Sequence, residues 1–233
     1  LRLLYTSSYA GYGLDAGAID KLAAFGDLIL SAGFNITGIT DPEEIERRHF
    51  LDSLSLLEIE AVSSARILAD VGSGGGLPAV VLALALPGVQ VKAVESQRKK
   101  CAFIEKAATE LGAENVVACC IRAEDYGLSR GREAHDVVVS RALAALPVVA
   151  EYSLPLLRLG GTMVAMRGSI SDQERIHAAR ALGILGADEL EEIRLHPFER
   201  AENRWAYTAR KVRVTPEGYP RRSGIPAKRP LGI

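Results

Sequence analysis

An α/β fold, with a mostly parallel sheet covered by helices on both faces, is predicted by three observations. Between Ile67 and Met166, short runs rich in β-branched residues alternate with longer stretches of helical period. A glycine-rich turn, Gly72-Ser73-Gly74-Gly75-Gly76, joins the first such run to the helix that follows it. Charged residues, namely Asp70, Glu95, Glu124 and Arg141, fall at or just after the ends of successive strands. Ligands of open parallel sheets sit beyond those ends, so the four should converge on one crevice.

The first dozen residues carry no clear period. Leu14, Ala18, Leu22, Phe25, Leu28, Ile29 and Ala32 recur at helical spacing, and Gly33 stops the run. Asp41 is placed to cap a helix starting at Pro42, with Glu44 in the capping-box position. Ile45, His49 and Phe50 fall on neighbouring faces of that helix, beside the adjacent bases Arg47 and Arg48. Spacing alone fits a solvated helix with a buried histidine as well as a functional one. After a Ser63-Ser64-Ala65 linker, strands are expected at 67–71, 89–94, 116–121, 136–140 and 162–166. Helices are expected at 78–86, 98–111, 172–185 and 142–157, the last interrupted at Pro147 and Pro155. Two closing strands are expected at 190–195 and 204–209. The chain thus divides into a helical extension (1–62), a sheet-bearing core (63–212) and a tail (213–233), with no internal repeat.

The chain has 233 residues, 48% hydrophobic and 24% charged, ordinary values for one sizeable core. No apolar run reaches the roughly 18 residues of a membrane span, and no basic-then-apolar leader opens the sequence. Cys101, Cys119 and Cys120 have no metal-ligand spacing, and their odd number speaks against a disulfide framework. The expected location is the cytoplasm, with no metal. A net charge of −1 means that any surface for nucleic acid must be local.

The glycine turn identifies the ligand only together with its acids. Ile67, Leu68 and Val71 read as a buried strand, and Pro78 suits the first turn of the next helix. Glycine tolerates positive φ and carries no side chain, so the backbone can approach a ligand closely. Glu95, about twenty residues beyond the turn, is placed to accept hydrogen bonds from a ribose hydroxyl pair. A pyrophosphate-binding turn would read G-x-G-x-x-G; this one reads "DVGSGGG", and Asp70 before it would repel pyrophosphate but suit an ammonium. That combination fits S-adenosylmethionine, whose sulfonium and ammonium are cationic.

From Lys211 onward, six basic residues (Lys211, Arg213, Arg221, Arg222, Lys228, Arg229) face one acid, Glu217, and prolines at 216, 220, 226 and 230 prevent a regular helix. The functional reading is an extended basic arm. Arg221, Arg222, Lys228 and Arg229 would meet phosphates, and the prolines would limit the entropy lost on binding.

Four segments, "NITGITDPEEIERRHFLDSL", "DVGSGGGLP", "VVVSRALAAL" and "YPRRSGIPAKRPL", give the chain from about Asn35 onward a close resemblance to one family. It resembles the bacterial 16S ribosomal RNA guanine-N7 methyltransferases, the RsmG family, formerly GidB. The glycine turn is common to many methyltransferases; the "RRHFLDSL" helix, the "SRA" after the fourth strand and the "YPRR-G-P" tail are far more particular. The resemblance implies a class I S-adenosylmethionine-dependent methyltransferase domain, Rossmann-like, behind a small helical extension, acting on 16S rRNA of the small ribosomal subunit. By matching position it implies that Gly72 and Leu77 line the methionine part of the cofactor, with Ser73 and Gly74 in the same turn. It also implies that Glu95 faces the ribose, that Ala123 and Glu124 lie near the adenine, and that Arg141 sits in the active crevice. His49 and Asp52 would have an orienting role. The family commonly has Lys-Gly after the fifth strand, where this chain has Arg167-Gly168; charge is kept and donor geometry changes.

The residues after the fourth strand, Ser140-Arg141-Ala142, lack the Asn/Asp-Pro-Pro-aromatic pattern of exocyclic adenine methylation, and no cysteine follows a proline as pyrimidine C5 methylation usually requires. Guanine N7 carries an in-plane lone pair and no proton, so it needs neither device nor a general base. Arg141 suits positioning, its fork of donors reaching a guanine edge, a phosphate or a carboxylate. Two other classes stay open on the residues alone: a small-molecule methyltransferase and a non-catalytic RNA-binding assembly factor.

Overall fold

A computed structural model describes residues 1–233. The chain opens with α1 (Thr6–Gly11) and α2 (Ala16–Ser31), the latter capped by Asp15, whose carboxylate accepts the Ala18 N–H at 2.8 Å. Asp41 caps α3 (Pro42–Ile45) in the same way by accepting from Glu44. The backbone then widens into a π-helical turn over Glu46–Leu51 before α4 (Asp52–Leu54), a 3₁₀ turn and α5 (Glu60–Ser63). The capped helix expected at Pro42 is therefore present but irregular. π-Type turns are rare and often found at functional sites.

From Ile67 the strands and helices alternate. β1 (Ile67–Val71), α6 (Ala79–Ala85), β2 (Gln90–Glu95), α7 (Arg98–Leu111), β3 (Val116–Cys120), α8 (Ala123–Gly127), β4 (His135–Arg141), α9 (Leu146–Ser153), β5 (Leu157–Arg167) and α10 (Asp172–Leu185) follow in turn. β6 (Glu191–Arg194) and β7 (Trp205–Arg210) close the sheet. The expected helix from Ala142 is corrected. Ala142 has φ 49°, and the helix starts only at Leu146 with Pro147 in its first turn, where the missing N–H costs nothing. Pro155 likewise lies in a 3₁₀ turn leading into β5.

Seven strands form one sheet in the order β3-β2-β1-β4-β5-β7-β6. β1 to β5 are parallel, while β7 runs antiparallel to β5 and β6 to β7. The chain steps outward from β1 through β2 to β3 and then returns to β4 on the other side. That reversal opens a crevice at the carboxyl ends of β1 and β4.

Alternation along the strands divides the core. Leu68, Val137 and Val139 point to the face covered by α2, α6, α7 and the π-helical segment, whereas Ala69, Val71 and Val138 point to the face covered by α9 and α10. Residues 1–62 share the first of these cores, with Phe25 stacked on Phe50 at 5.9 Å and tilted against Phe103 at 6.4 Å. Each such buried ring contributes roughly 1.5–3 kcal/mol, which fixes the π-helical segment against the sheet.

The tail is ordered on the second face, and the expectation of a free extended arm is corrected. Pro226, within a one-turn helix, α11 (Ile225–Lys228), and Leu231 beyond it are both buried. Lys211 is fully buried, donating to Glu133 and to the Leu157 carbonyl. Arg132 donates to the carbonyls of Thr215 and Tyr219, both at 2.8 Å. No helix is long and apolar enough to cross a membrane.

Candidate active site

Two hollows meet at the carboxyl ends of β1, β2 and β4. The first, about 390 Å³, is lined by Thr37, Arg48, His49, Asp52, Gly72 to Gly75, Leu77, Arg141, Arg167 and Arg204 among others. The second, about 290 Å³, is lined by Gly72, Gly74, Glu95, Gln97, Ala123, Glu124 and Tyr152 among others. Gly72 and Gly74 border both. Gly74, at φ 56°, faces open space where a side chain would project, so its bare backbone keeps the two hollows continuous.

The glycine turn is held by its acids. One Glu95 oxygen accepts the Gly74 N–H at 3.0 Å and the other accepts the Gln97 N–H at 2.8 Å. This ties the turn to the end of β2 and leaves a carboxylate in the lining of the second hollow with acceptor capacity to spare. Asp70 lies elsewhere than its strand-end position suggests. It is fully buried beneath the turn, accepting the Ala79 N–H at the start of α6 with one oxygen while the other has no partner. Burial pushes its carboxyl up to about 7. Asp70 is thus an anchor below the crevice floor, not part of the wall. Ser73 is also buried, its hydroxyl donating to the Asp70 carbonyl, so only its backbone borders the crevice.

Opposite the turn, Arg141 ends β4 and joins the π-helical segment. Its guanidinium donates to the Arg48 carbonyl at 2.9 Å and to His49 Nδ1 at 3.2 Å, and lies 3.6 Å from Asp52. The same Nδ1 lies 3.1 Å from the Arg48 carbonyl, and Nε2 lies 2.6 Å from Thr37 Oγ1, so both ring nitrogens are engaged. Burial, reinforced by the Arg141 charge, pushes His49 down to about 3 and keeps it neutral. Asp52 also accepts from Arg204 at 2.9 Å. Burial outweighs the two guanidinium groups and holds its carboxyl above the ordinary value.

Arg141 and His49 are therefore brought together on one wall, Gly72, Gly74, Leu77 and Glu95 on the other, and Ala123 and Glu124 at the far end. Glu124 is buried, one oxygen accepting the Gly224 N–H at 2.7 Å. Arg167, where the resembled family commonly has lysine, is held by both oxygens of Glu174 and by the Ala144 carbonyl, at the edge of the first hollow. Sequence reasoning missed Arg204, Arg48 and Thr37. Arg204 reaches the crevice because β7 inserts between β5 and β6, a pairing that no local signal announces. Arg222, Lys228 and Arg229 are exposed and in no ion pair, whereas Arg221 is paired with the fully buried Glu151.

The matching family is described as rRNA small subunit methyltransferase G, over residues 18–199. A protein named ribosomal RNA small subunit methyltransferase G from Desulfitobacterium hafniense is 40% identical over 222 residues, 94% of this chain and 91% of its own. The chain belongs to this family. A protein of the same name from Moorella thermoacetica is also 40% identical, over 97% of this chain and 95% of its own. Among solved structures, an S-adenosylmethionine-dependent O-methyltransferase from Thermotoga maritima superposes with a TM-score of 0.54 at 19% identity, covering 71% of this chain and 66% of that one. The family is one of methyltransferases, and the fold is that of enzymes dependent on S-adenosylmethionine.

Proposed function

We propose that the protein transfers a methyl group from S-adenosylmethionine to N7 of a guanine in 16S rRNA of the small ribosomal subunit, in the cytoplasm. The observation that carries this reading is the continuous crevice across Gly72 and Gly74, with acids on the cofactor side and arginines on the other. Gly72, Ser73, Gly74 and Leu77 would hold the methionine portion, Glu95 the ribose, and Ala123 and Glu124 the adenine end. The residues fit the group: the carboxylate of Glu95 accepts from hydroxyls, and the bare Gly74 leaves room for close approach. When bound, the cofactor supplies an electrophilic methyl carbon.

The chain's own task is then orientation. N7 has no proton to lose, and neutral His49, held between Thr37 and Arg141, is not required as a base. Of the four arginines lining the first hollow, Arg48 is paired with Glu44 and Arg167 with Glu174, while Arg141 and Arg204 share the one lining acid, Asp52; the remaining excess of cation suits a phosphate backbone. Arg141 orients the purine through a fixed fork of donors. Holding the reactants in line can supply roughly 7–11 kcal/mol of barrier reduction. The test is methyl transfer from labelled S-adenosylmethionine to small-subunit RNA from a strain lacking this protein. Label mapped to a guanine N7 is the expected result; label at another atom, or none, refutes the assignment.

A further inference from the structure

The tail and the adenosine end of the crevice are built into one another. Glu124, at the start of α8, and Tyr152, in α9, both line the second hollow. Behind them runs the segment Tyr219 to Gly224. Its Gly224 N–H donates to Glu124 at 2.7 Å, and the Ser223 hydroxyl donates to Asp125 at 2.8 Å. Arg221 meets Glu151, the neighbour of Tyr152, through its backbone N–H at 2.8 Å and through its guanidinium. The guanidinium also donates to the Arg229 carbonyl at 2.8 Å, which ties the exposed end of the tail to the same point. Glu151 is fully buried, so Arg221 is its necessary partner.

We propose that residues 219–224 are positioning residues for S-adenosylmethionine, fixing Glu124 and Tyr152 from behind, so that tail docking and cofactor binding stabilise each other. The inference rests on the cofactor reading above. Its consequence reaches the other face of the tail, where Arg222, Lys228 and Arg229 stand exposed and unpaired. A polyanion that held the tail in its docked form would strengthen cofactor binding, and by linkage the cofactor would strengthen polyanion binding by the same factor.

Two measurements test this on the full chain. In the wild type, amide hydrogen exchange of residues 219–226 is compared with and without saturating S-adenosylmethionine. Exchange there should slow by about tenfold, with β6 at the far sheet edge unchanged. Calorimetric titration of Arg221→Gln should show cofactor affinity reduced by about tenfold. Arg213→Gln, in the same tail but bonded to the Gly183 carbonyl, should bind like wild type. Unchanged exchange in 219–226, or slowing spread equally over β6, would overturn the coupling even if Arg221→Gln did not fold. Cofactor affinity within twofold of wild type in a folded Arg221→Gln would also overturn it, leaving the tail a brace. Failure of the wild type to bind S-adenosylmethionine at all would instead remove the cofactor reading, and the coupling with it.

Discussion

Glu95 and Arg141 carry the most testable residue-level claims. Glu95→Ala removes an acceptor for ribose hydroxyls and also frees the Gly74 and Gln97 N–H groups. S-adenosylmethionine affinity should fall by about 1.5–3 kcal/mol, read by calorimetric titration; unchanged affinity would take Glu95 away from the ribose. Arg141→Ala should lower single-turnover methylation on the order of 100-fold, the scale of a misplaced reactant, with the circular dichroism spectrum preserved. Arg141→Lys should restore little, because one ammonium cannot span the Arg48 carbonyl, His49 and Asp52 as the guanidinium does. Near wild-type rates in both variants would exclude Arg141 from the site. Both residues were legible because they end strands, and the topology sends strand ends to the crevice. Asp70 lies one residue before the end of β1, yet it is buried: a position near a strand end does not say whether a side chain points outward or under the turn. Arg204 gave no signal at all, since it depends on a pairing between distant strands.

At the scale of elements, the unit of β1, glycine turn and α6 was readable in the sequence, and so were α7 and α10, whose bounds match the periodic runs. The start of α9 was not, because nothing local says that Ala142 takes positive φ before Pro147 begins the helix. The π-helical turn was equally hidden: hydrophobic spacing reports a helical face but not one wide turn within it. The first unit makes a prediction about pH. Burial raises Asp70 to about 7, against about 3.9 in an unfolded chain, so between those values the folded state keeps a proton that the unfolded state has released. Stability from this group is full at low pH and is lost as pH rises toward about 7. His49 acts oppositely. Burial and Arg141 lower it to about 3, against about 6.5 unfolded, so its contribution is lost as pH falls from about 6.5 toward 3. Melting temperatures of Asp70→Asn across pH 4–7 should therefore rise more steeply with pH than those of wild type, because only the opposing slope of Asp70 has been removed. Parallel curves for the two proteins would show that Asp70 does not titrate in this window.

The tail decides how the molecule as a whole meets RNA. In the sequence its cations form one group, since composition records charge and not where the charge goes. The fold separates them: Lys211, itself buried, is paired with Glu133 and Arg221 with the buried Glu151, while Arg222, Lys228 and Arg229 remain exposed and unpaired. Arg221→Gln strands Glu151 in the core and should cost about 3 kcal/mol of stability, visible as a lower melting temperature. Changing Arg222, Lys228 and Arg229 together to glutamine touches no partner and should leave the melting temperature unchanged. If these three meet phosphates, each lost contact should reduce the slope of log affinity against log salt by roughly 0.7–0.9. The triple variant should then bind small-subunit RNA more weakly and with a slope lower by about 2–3. The four arginines lining the first hollow are intact in that variant, so residual binding should keep the remaining salt dependence. An unchanged slope with an unchanged melting temperature would mean that the arginine-lined crevice alone holds the RNA and that the exposed face of the tail looks away from it.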